Sequence, residues 1–188
     1  MKLLILDGNS VINRAYYGVK PLTNREGLFT HAVYGFLNIL EKMEKEEQPD
    51  AVCVAFDLHG PTFRHKMYAE YKAGRKPAPR ELVEQFAPLK ELLTVLGYTV
   101  VEKEGYEADD ILGTISAACG KDDFCYIATG DRDSLQLVRE NVNVVLASTK
   151  AGQPVSTVYD VAKIKDEYSV APEQLIDIKA IQGDSSDN

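Results

Sequence analysis

Short apolar runs alternate along the chain with longer stretches in which apolar residues return every three or four positions. The short runs are rich in Leu, Ile and Val and predict strands buried on both faces, whereas the longer stretches predict amphipathic helices. The predicted strands cover residues 2–6, 51–56, 98–101, 124–128 and 142–147. The predicted helices cover residues 10–17, 30–47, 80–96, 107–119, 135–138, 158–168 and 172–181.

Polar residues and turn formers mark the boundaries between these elements. Thr30 is placed to cap the helix that follows it, and Pro21 and Gly27 indicate a loop before it. Residues 153–158 are expected to pair with the fifth strand as an edge hairpin. Strands that alternate with helices predict an α/β fold, a doubly wound and mainly parallel sheet with helices on both faces. We expect residues 1–188 to form one domain.

Acidic residues stand where several predicted strands end. Asp7 follows the first strand, Asp57 follows the second, and Asp131 and Asp133 follow the fourth. In doubly wound sheets the binding crevice lies beyond the carboxyl ends of the strands. The pattern therefore predicts that these carboxylates meet at one edge of the sheet.

Three further carboxylates fall within the four residues Glu107-Ala108-Asp109-Asp110, where a predicted helix begins. Carboxylates this close repel one another unless cations neutralise them or some of them hold protons. One interpretation is a cation site. The alternative is an acidic first turn that complements the helix dipole, which is common.

The acidic set contains no histidine or cysteine and offers only hard oxygen ligands. Such ligands suit Mg²⁺ or Mn²⁺ better than zinc. Two such ions, about 4 Å apart, clamp the attacking and leaving oxygens of a phosphodiester, which indicates phosphoryl transfer to water. The chain has neither a phosphate-binding loop nor a dinucleotide-binding glycine motif.

The formal net charge is −8, which taken alone argues against a polyanionic partner. Without the nine acids assigned to metal below, however, 20 acidic residues face 21 basic ones. Between Pro61 and Arg80 there are six basic residues and one acidic residue, and tyrosines lie among them. Cations that contact phosphates and rings that stack on bases suit single-stranded nucleic acid. The alternative is an ordinary solvated surface.

The remaining composition points to an intracellular protein. Cys53 and Cys125 lie inside predicted strands and are expected to be buried thiols, and Cys119 has no metal-ligand spacing to them. The N-terminus is not a signal peptide, and no apolar run approaches the ~20 residues that span a bilayer. We expect a cytoplasmic protein with no membrane partner. His31, His59 and His65 are assigned surface or packing roles.

Several short motifs carry a resemblance to a known family. They are Asp7-Gly8-Asn9-Ser10, Phe56-Asp57, Thr62-Phe63-Arg64-His65, Tyr71-Lys72-Ala73-Gly74-Arg75, Gly105-Tyr106-Glu107-Ala108-Asp109-Asp110, Thr129-Gly130-Asp131-Arg132-Asp133 and Gly183-Asp184-Ser185-Ser186-Asp187-Asn188. In this order, over the whole chain, they resemble the 5′ nuclease (5′-3′ exonuclease) domain of bacterial DNA polymerase I, of the flap endonuclease family.

The resemblance implies a PIN-like, resolvase-like fold with a basic helical arch. It implies a monomeric nuclease, dependent on Mg²⁺ or Mn²⁺ with two ions, that acts in DNA replication and repair at the bacterial nucleoid. Its substrates would be DNA with a 5′ flap or single-stranded 5′ end and RNA primers in RNA–DNA hybrids. A polymerase domain would follow in a parent chain, and residue 188 would precede a helix-hairpin-helix element that grips duplex DNA.

The resemblance also assigns residues. One metal cluster comprises Asp7, Asp57, Glu107, Asp109 and Asp110, with Asp109 serving both ions and with Asp7 and Asp110 acting through water. The other comprises Asp131, Asp133, Asp184 and Asp187. Lys72 and Arg75 would contact the scissile phosphate at the base of the arch. The same passage would be lined by Arg64, Lys66, Tyr68 and Tyr71, and Arg14 and Tyr16 would touch the junction.

Two other functions stay open at this point. One is a non-catalytic DNA-binding or interaction module whose acids hold structural ions. The other is a PIN-type ribonuclease, which would lack the Tyr71-Lys72-Ala73-Gly74-Arg75 motif found here.

Overall fold

The computed structural model describes residues 1–150 and 153–183, with the backbone alone for residues 148–150, 153 and 154. The strands are β1 Lys2–Asp7, β2 Ala51–Ala55, β3 Thr99–Val101, β4 Phe124–Thr129, β5 Val142–Lys150 and β6 Gln153–Tyr159. The α-helices are α1 Gly8–Gly18, α2 His31–Glu47, α3 Phe63–Met67, α4 Arg80–Val83, α5 Phe86–Val95, α6 Ala108–Ala118, α7 Val161–Tyr168 and α8 Leu175–Gln182. Short 3₁₀ helices cover Arg132–Leu137 and Pro172–Gln174.

The strands form one sheet in the order β3-β2-β1-β4-β5-β6. All neighbouring pairs are parallel except β5 and β6, which form the expected antiparallel hairpin. The chain builds outward from β1 to β3 and then returns to the other side of β1 with β4. A doubly wound sheet offers its binding crevice at such a reversal of strand order. The predicted fold class is confirmed, and the reversal places the crevice between β1 and β4.

Alternate residues of the central strands face two separate cores, because side chains in a strand point to opposite faces. Leu4 and Leu6 of β1 pack with α1, α2 and α5 on one face. Ile5 packs on the other face with α6 and α7. Strands buried on both faces explain why their sequences are nearly continuous apolar runs.

The helix predicted over residues 80–96 is two helices, α4 and α5. Pro88 is the third residue of α5, where its ring would collide with the carbonyl of Glu84 if the helix continued back toward α4. The helix therefore breaks at Glu84 and Gln85. This correction follows from a residue that the hydrophobic pattern ignores.

Gln85, at this break, takes over the capping role predicted for Thr30. Thr30 makes no side-chain hydrogen bond to the start of α2. Instead, the buried Gln85 Oε1 accepts hydrogen bonds from the backbone N–H groups of Ala32, at 2.8 Å, and Val33, at 3.3 Å. Its Nε2 donates to the Glu81 carbonyl at 2.8 Å. Backbone donors at a helix start need such partners when they are buried.

Replacing Gln85 by leucine should destabilise the fold, because the N–H groups at the start of α2 would lose their acceptor inside the core. We expect a loss of about 2 kcal/mol, or roughly 4–8 °C in Tm, measured by thermal unfolding. Glu91→Ala on the solvent side of α5 is the control and should change Tm little. Equal Tm values for the two variants would show that Gln85 does not cap α2.

Other predictions are confirmed or adjusted in the described part of the chain. The helix predicted over residues 135–138 is the 3₁₀ helix Arg132–Leu137, which begins directly at Asp131. Cys53 and Cys125 are buried free thiols, as predicted, and Cys119 is also free. None of the described helices has both the length and the apolar character needed to cross a membrane.

Candidate active site

The carboxyl end of β1 begins the site. Asp7 is the last residue of β1 and only 5% exposed. Its Oδ1 accepts a hydrogen bond from the Ser10 N–H at 2.9 Å and caps α1, and its Oδ2 accepts one from Thr129 Oγ1 at 2.8 Å. Burial raises the pKa of Asp7, and the nearby charges of Asp57 and Asp131 raise it further. Three strand ends therefore meet at this carboxylate.

Gly8 allows this close meeting. A Cβ on Gly8 would lie 2.4 Å from the ring of Phe56, the residue that follows β2. Only glycine lets α1 start so close to the neighbouring strand. Asn9 then fixes the loop after β2, because its Oδ1 accepts a hydrogen bond from the Asp57 N–H at 3.0 Å.

Asp57 links the second strand end to α6. Its Oδ1 accepts a hydrogen bond from the Ala108 N–H, the first residue of α6, at 2.6 Å. A carboxylate at a helix N-terminus is favoured by the helix dipole and by the unpaired N–H groups there. This contact brings the Glu107-Ala108-Asp109-Asp110 segment to the sheet edge.

Asp109 is the acid whose pKa is raised to near neutrality. Solvent reaches part of its side chain, but the surrounding protein removes much of its hydration. That desolvation, with the charges of Asp7, Asp131 and Asp57, raises its pKa to about 7. Within the described residues nothing donates a hydrogen bond to its carboxylate. A cation is the partner that this group lacks.

Glu107 is turned toward the basic segment. It is 7% exposed, and its two carboxylate oxygens accept hydrogen bonds from Tyr71 Oη at 2.9 Å and Lys72 Nζ at 2.8 Å. Burial works to lower the pKa of Lys72, but the Glu107 carboxylate outweighs it and raises that pKa. Lys72 has a left-handed backbone with φ +58°, which is uncommon for a non-glycine residue.

Asp110 is held by Arg64 in a two-pronged ion pair. Both guanidinium Nη atoms donate to the Asp110 carboxylate at 2.7 Å, and the Glu107 N–H donates to Asp110 Oδ2 at 3.0 Å. Arg64 is the largest cause of the lowered pKa of Asp110. Asp110 therefore anchors Arg64 here, and the metal role predicted for Asp110 and the nucleic-acid role predicted for Arg64 stay predictions.

The fourth strand supplies the last described acids. Asp131 begins the 3₁₀ helix, with its Oδ1 accepting from the Asp133 N–H at 2.9 Å, and its own N–H donates to Thr129 Oγ1 at 3.0 Å. Asp133 forms an ion pair with Lys179 of α8 at 2.9 Å. Asp184 and Asp187 lie outside the described residues, so their assignment stays a prediction.

The structure thus brings Asp7, Asp57, Asp109 and Asp131 together, whereas Glu107, Asp110 and Asp133 face protein cations. Over residues 1–150 and 153–183, no three acidic, histidine or cysteine side chains stand in an arrangement that could hold a metal ion as they are. The donor chemistry nevertheless fits a hard divalent cation, because the converging ligands are carboxylates and one has a strongly raised pKa. Their role as ligands stays a prediction.

The basic segment is less helical than the predicted arch. It contains the five-residue helix α3, turns over residues 69–74, and extended chain before α4. Lys66 and Arg75 are exposed, and Tyr68 is 55% exposed with its Oη donating to Glu70. The segment lies against Glu107 and Asp110 through the Arg64, Tyr71 and Lys72 contacts above.

The two residues predicted at the junction lie on α1. Arg14 is close to the site, since a Cβ on Gly130 would come within 3.4 Å of its Nε. Tyr16 packs against the core and against the His31 ring, with the ring centroids 4.8 Å apart. The structure therefore places Arg14, but not Tyr16, beside the strand ends.

Sequence reasoning assigned no role to Asn9 and Thr129, which position Asp57, Asp7 and Asp131. Each lies within two residues of a predicted acid. A search for amide and hydroxyl side chains beside the strand-end acids would have found them, because buried carboxylates need hydrogen-bond donors and the backbone N–H groups of the acid-bearing loops need acceptors.

Comparison with known proteins shows the family of this chain. The family described as "5'-3' exonuclease, N-terminal resolvase-like domain" matches residues 2–169. DNA polymerase I of Caldicellulosiruptor bescii is 44% identical over 191 residues, which is 100% of this chain and 22% of that protein. DNA polymerase I of Bacillus subtilis is 43% identical, over 100% of this chain and 21% of that protein. The chain thus spans about a fifth of the length of these relatives.

Solved structures show the same fold. The T5 D15 protein, co-crystallised with metal ions, has a TM-score of 0.76 and 25% identity, covering 100% of this chain and 69% of its own. Human GEN1, solved in complex with Holliday junction DNA, has a TM-score of 0.60 at 15% identity, covering 98% of this chain and 45% of its own, and is similar in fold alone. With the family match over most of its length, the chain belongs to the family of 5′-3′ exonuclease N-terminal, resolvase-like domains.

Proposed function

We propose that this nuclease domain hydrolyses phosphodiester bonds at the junction between a single-stranded 5′ end and a duplex. The observation that supports it most is the convergence of Asp7, Asp57, Asp109 and Asp131 beside a cationic segment. The acids supply negative charge for cations, and the segment supplies positive charge for phosphates. Carboxylates for cations, next to cationic side chains for phosphates, suit a phosphodiester better than a neutral substrate.

The residues would divide the chemistry as follows. Asp7, Asp57, Asp109 and Asp131 would hold Mg²⁺ or Mn²⁺, with two ions proposed. When bound, these ions polarise the phosphoryl oxygens and offset the charge that develops on them. Lys72 and Arg75 would hold the phosphate and stabilise its growing negative charge. Asp57 positions the start of α6 by accepting a hydrogen bond from the Ala108 N–H, and Thr129 positions Asp7 by donating one to its carboxylate.

A cavity of about 560 Å³ lies beside these groups, between α6 and the 3₁₀ helix. Its lining includes Asp109, Asp110, Tyr71, Gly113 and Gln136. The space suits part of a nucleotide next to the bond that is cut.

We further propose the finer identity of the substrates and the setting. The relatives are DNA polymerase I chains, which supports 5′ flaps of DNA and RNA primers in RNA–DNA hybrids as substrates. A cut that leaves a 5′ phosphate and a 3′ hydroxyl suits that use. We propose that the domain acts as a monomer in the cytoplasm at the nucleoid, within a chain that also carries a polymerase.

A labelled duplex with a 5′ flap tests the function. In Mg²⁺ the chain should release the flap, and EDTA should abolish release, because the carboxylates require the cation. A version extended by the duplex-binding element should cut the same substrate with a lower KM. Single-stranded RNA is the comparison substrate.

Three results would contradict the proposal. Preferred cutting of single-stranded RNA would indicate the ribonuclease. Tight binding of the flap duplex with no turnover in Mg²⁺ or Mn²⁺ by either version would indicate a binding module. Cleavage that survives EDTA would exclude a cation-dependent reaction.

A further inference from the structure

A second cavity, of about 440 Å³, lies beside α3, whose Lys66 contributes to its wall. Two loops form it, one after β2 and one before α6. Its polar lining comes from His59, Thr62, Lys66, Lys103, Glu104 and Tyr106. None of the strand-end acids lines it. The cavity is therefore separate from the strand-end acids, and it shares Lys66 with the basic segment.

The lining has the chemistry of a nucleic-acid strand site. Lys66 and Lys103 supply two cations against the single carboxylate of Glu104. Tyr106 is 46% exposed, and its ring centroid lies 5.7 Å from that of Phe63. Cations for phosphates next to an exposed ring for a base are the elements by which proteins hold single strands without sequence preference.

The cavity is adjacent to the acids along the backbone. Tyr106 directly precedes Glu107, which has an extended backbone with φ −101° and ψ 163°. Successive side chains of an extended chain point to opposite sides. Accordingly Glu107 contacts Lys72 at the acids, while Tyr106 lines the second cavity. The cavity therefore adjoins the acid-bearing start of α6 in the chain.

The two loops are tied together, so the cavity keeps its shape. The Phe63 N–H donates to the Gly105 carbonyl at 2.9 Å. The Thr62 Oγ1 hydroxyl and the His65 Nδ1 atom lie 2.9 Å apart, and Thr62 is buried. Arg64, on the same short helix, is fixed by Asp110 and stacks over the Phe63 ring at 4.5 Å. One helix therefore joins the acid site to the cavity wall.

We propose that this cavity binds the single-stranded 5′ flap as it leaves the cleavage site, with Lys103 and Lys66 on its phosphates and Tyr106 on a base. The assignment of the strand as a flap rests on the proposed function. The ligand class, single-stranded nucleic acid, rests on the cavity itself.

Direct binding is the first test and needs no cleavage. A fluorescent oligothymidylate of about twelve nucleotides is titrated with the protein in EDTA, and anisotropy is read. Lys103→Glu should weaken binding roughly tenfold, and Tyr106→Ala should weaken it by a similar factor. Lys121→Glu is the matched control, since Lys121 is an exposed lysine just before the amino end of β4, whereas the acids lie at the carboxyl ends of the strands. That control should bind as the unchanged protein does.

Cleavage is the second test. Flaps of about two and about ten nucleotides are compared with a nicked duplex that has no flap. Lys103→Glu should raise KM roughly tenfold for the long flap and leave kcat and the nicked duplex unchanged. The salt dependence of long-flap binding should also fall by about 0.7 in logarithmic slope for each lost phosphate contact.

The outcomes separate the two proposals. If Lys103→Glu and Lys121→Glu bind the oligonucleotide equally, the flap site is wrong even though the domain cuts flaps. Equal losses on the long flap and the nicked duplex would also overturn it. If binding depends on Lys103 but no substrate is cut, the strand site stands and the proposed function fails.

Discussion

Replacing Asp109 by asparagine should abolish phosphodiester cleavage and, in the absence of divalent cations, make the protein more stable at pH 8. Both effects have the same cause. Asp109 carries a poorly hydrated charge beside Asp7, Asp57 and Asp131, and the attraction of Lys72 offsets their repulsion only in part. Asparagine keeps the shape and removes the charge. We expect a loss of roughly 10³-fold or more in the cleavage rate, since cation stabilisation contributes several kcal/mol.

The stability effect depends on pH in a defined direction. The pKa of Asp109 is about 7 in the fold, above its ordinary value of 3.8. Between these two values the folded state binds a proton that the unfolded chain has lost, so stability falls as pH rises through this window. The stability of the unchanged protein stays low above pH 7. The asparagine variant lacks this decline, so the difference in Tm should grow from pH 4 to pH 7 and then stay constant.

The size of the gain is limited because solvent reaches Asp109. After allowance for that screening we expect about 1 kcal/mol at pH 8, or roughly 2–4 °C in Tm. Saturating Mg²⁺ should reverse the order, because the unchanged protein gains binding energy that the variant loses. Titration with Mn²⁺, followed by electron paramagnetic resonance, measures that binding directly.

Asp122→Asn is the matched control, because Asp122 is an exposed aspartate before β4, away from the strand-end acids. It should change neither cleavage nor Mn²⁺ affinity. Near-normal cleavage by Asp109→Asn would show that another of the strand-end acids holds the cation needed for cleavage. Unchanged Mn²⁺ affinity with lost cleavage would show that Asp109 is not a ligand.

Replacing Lys72 by alanine should lower the single-turnover cleavage rate by about 10²–10³-fold while duplex affinity changes little. Lys72 Nζ lies 2.8 Å from Glu107 Oε1, and its side chain is only 25% exposed. A fixed, poorly hydrated cation at the acids stabilises charge that develops on a phosphate, and one such group commonly contributes this factor. Its loss also leaves the buried Glu107 with only the longer ion pair to Arg64, at 3.5 Å.

The backbone of Lys72 offers a second variant that separates charge from conformation. Its φ of +58° is strained for alanine but easy for glycine. Lys72→Gly should therefore unfold at a higher temperature than Lys72→Ala, yet both should show the same loss of rate. Recovery of the rate in the glycine variant would assign Lys72 a backbone role only.

Lys76→Ala is the control within the same basic segment, because Lys76 is exposed to solvent. We expect a change of less than threefold in the single-turnover rate, as is usual for an exposed charge. A loss equal to that of Lys72→Ala would mean that the total charge of the segment, and not the placement of Lys72, controls the rate.

The sequence predicted the sheet well because its signals are local. Strands buried on both faces must be apolar throughout, and a parallel sheet needs helices between strands. Acids directly after such strands must then meet at one edge, as Asp7, Asp57 and Asp131 do. The broken helix at Pro88 was also a local matter, since the proline ring collides with a carbonyl four residues earlier.

Contacts between distant segments were beyond the reach of any pattern. Gln85 caps α2 although the two are more than fifty residues apart in the sequence, and Arg64 pairs with Asp110, 46 residues away. The distances between the acids and the nearby cations determine which acid is left without a hydrogen-bonded cation. The order of residues along the chain does not contain those distances.

The sequence by itself therefore determined the family, the sheet and the set of carboxylates, because residue type and spacing fix secondary structure and ligand chemistry. Only the tertiary structure decided how that set divides. Asp109 lies among Asp7, Asp57 and Asp131 and has a pKa of about 7. Glu107 is paired with Lys72, and Asp110 is paired with Arg64. The physical reason is that electrostatic energy depends on separation and hydration, which exist only once the chain has folded.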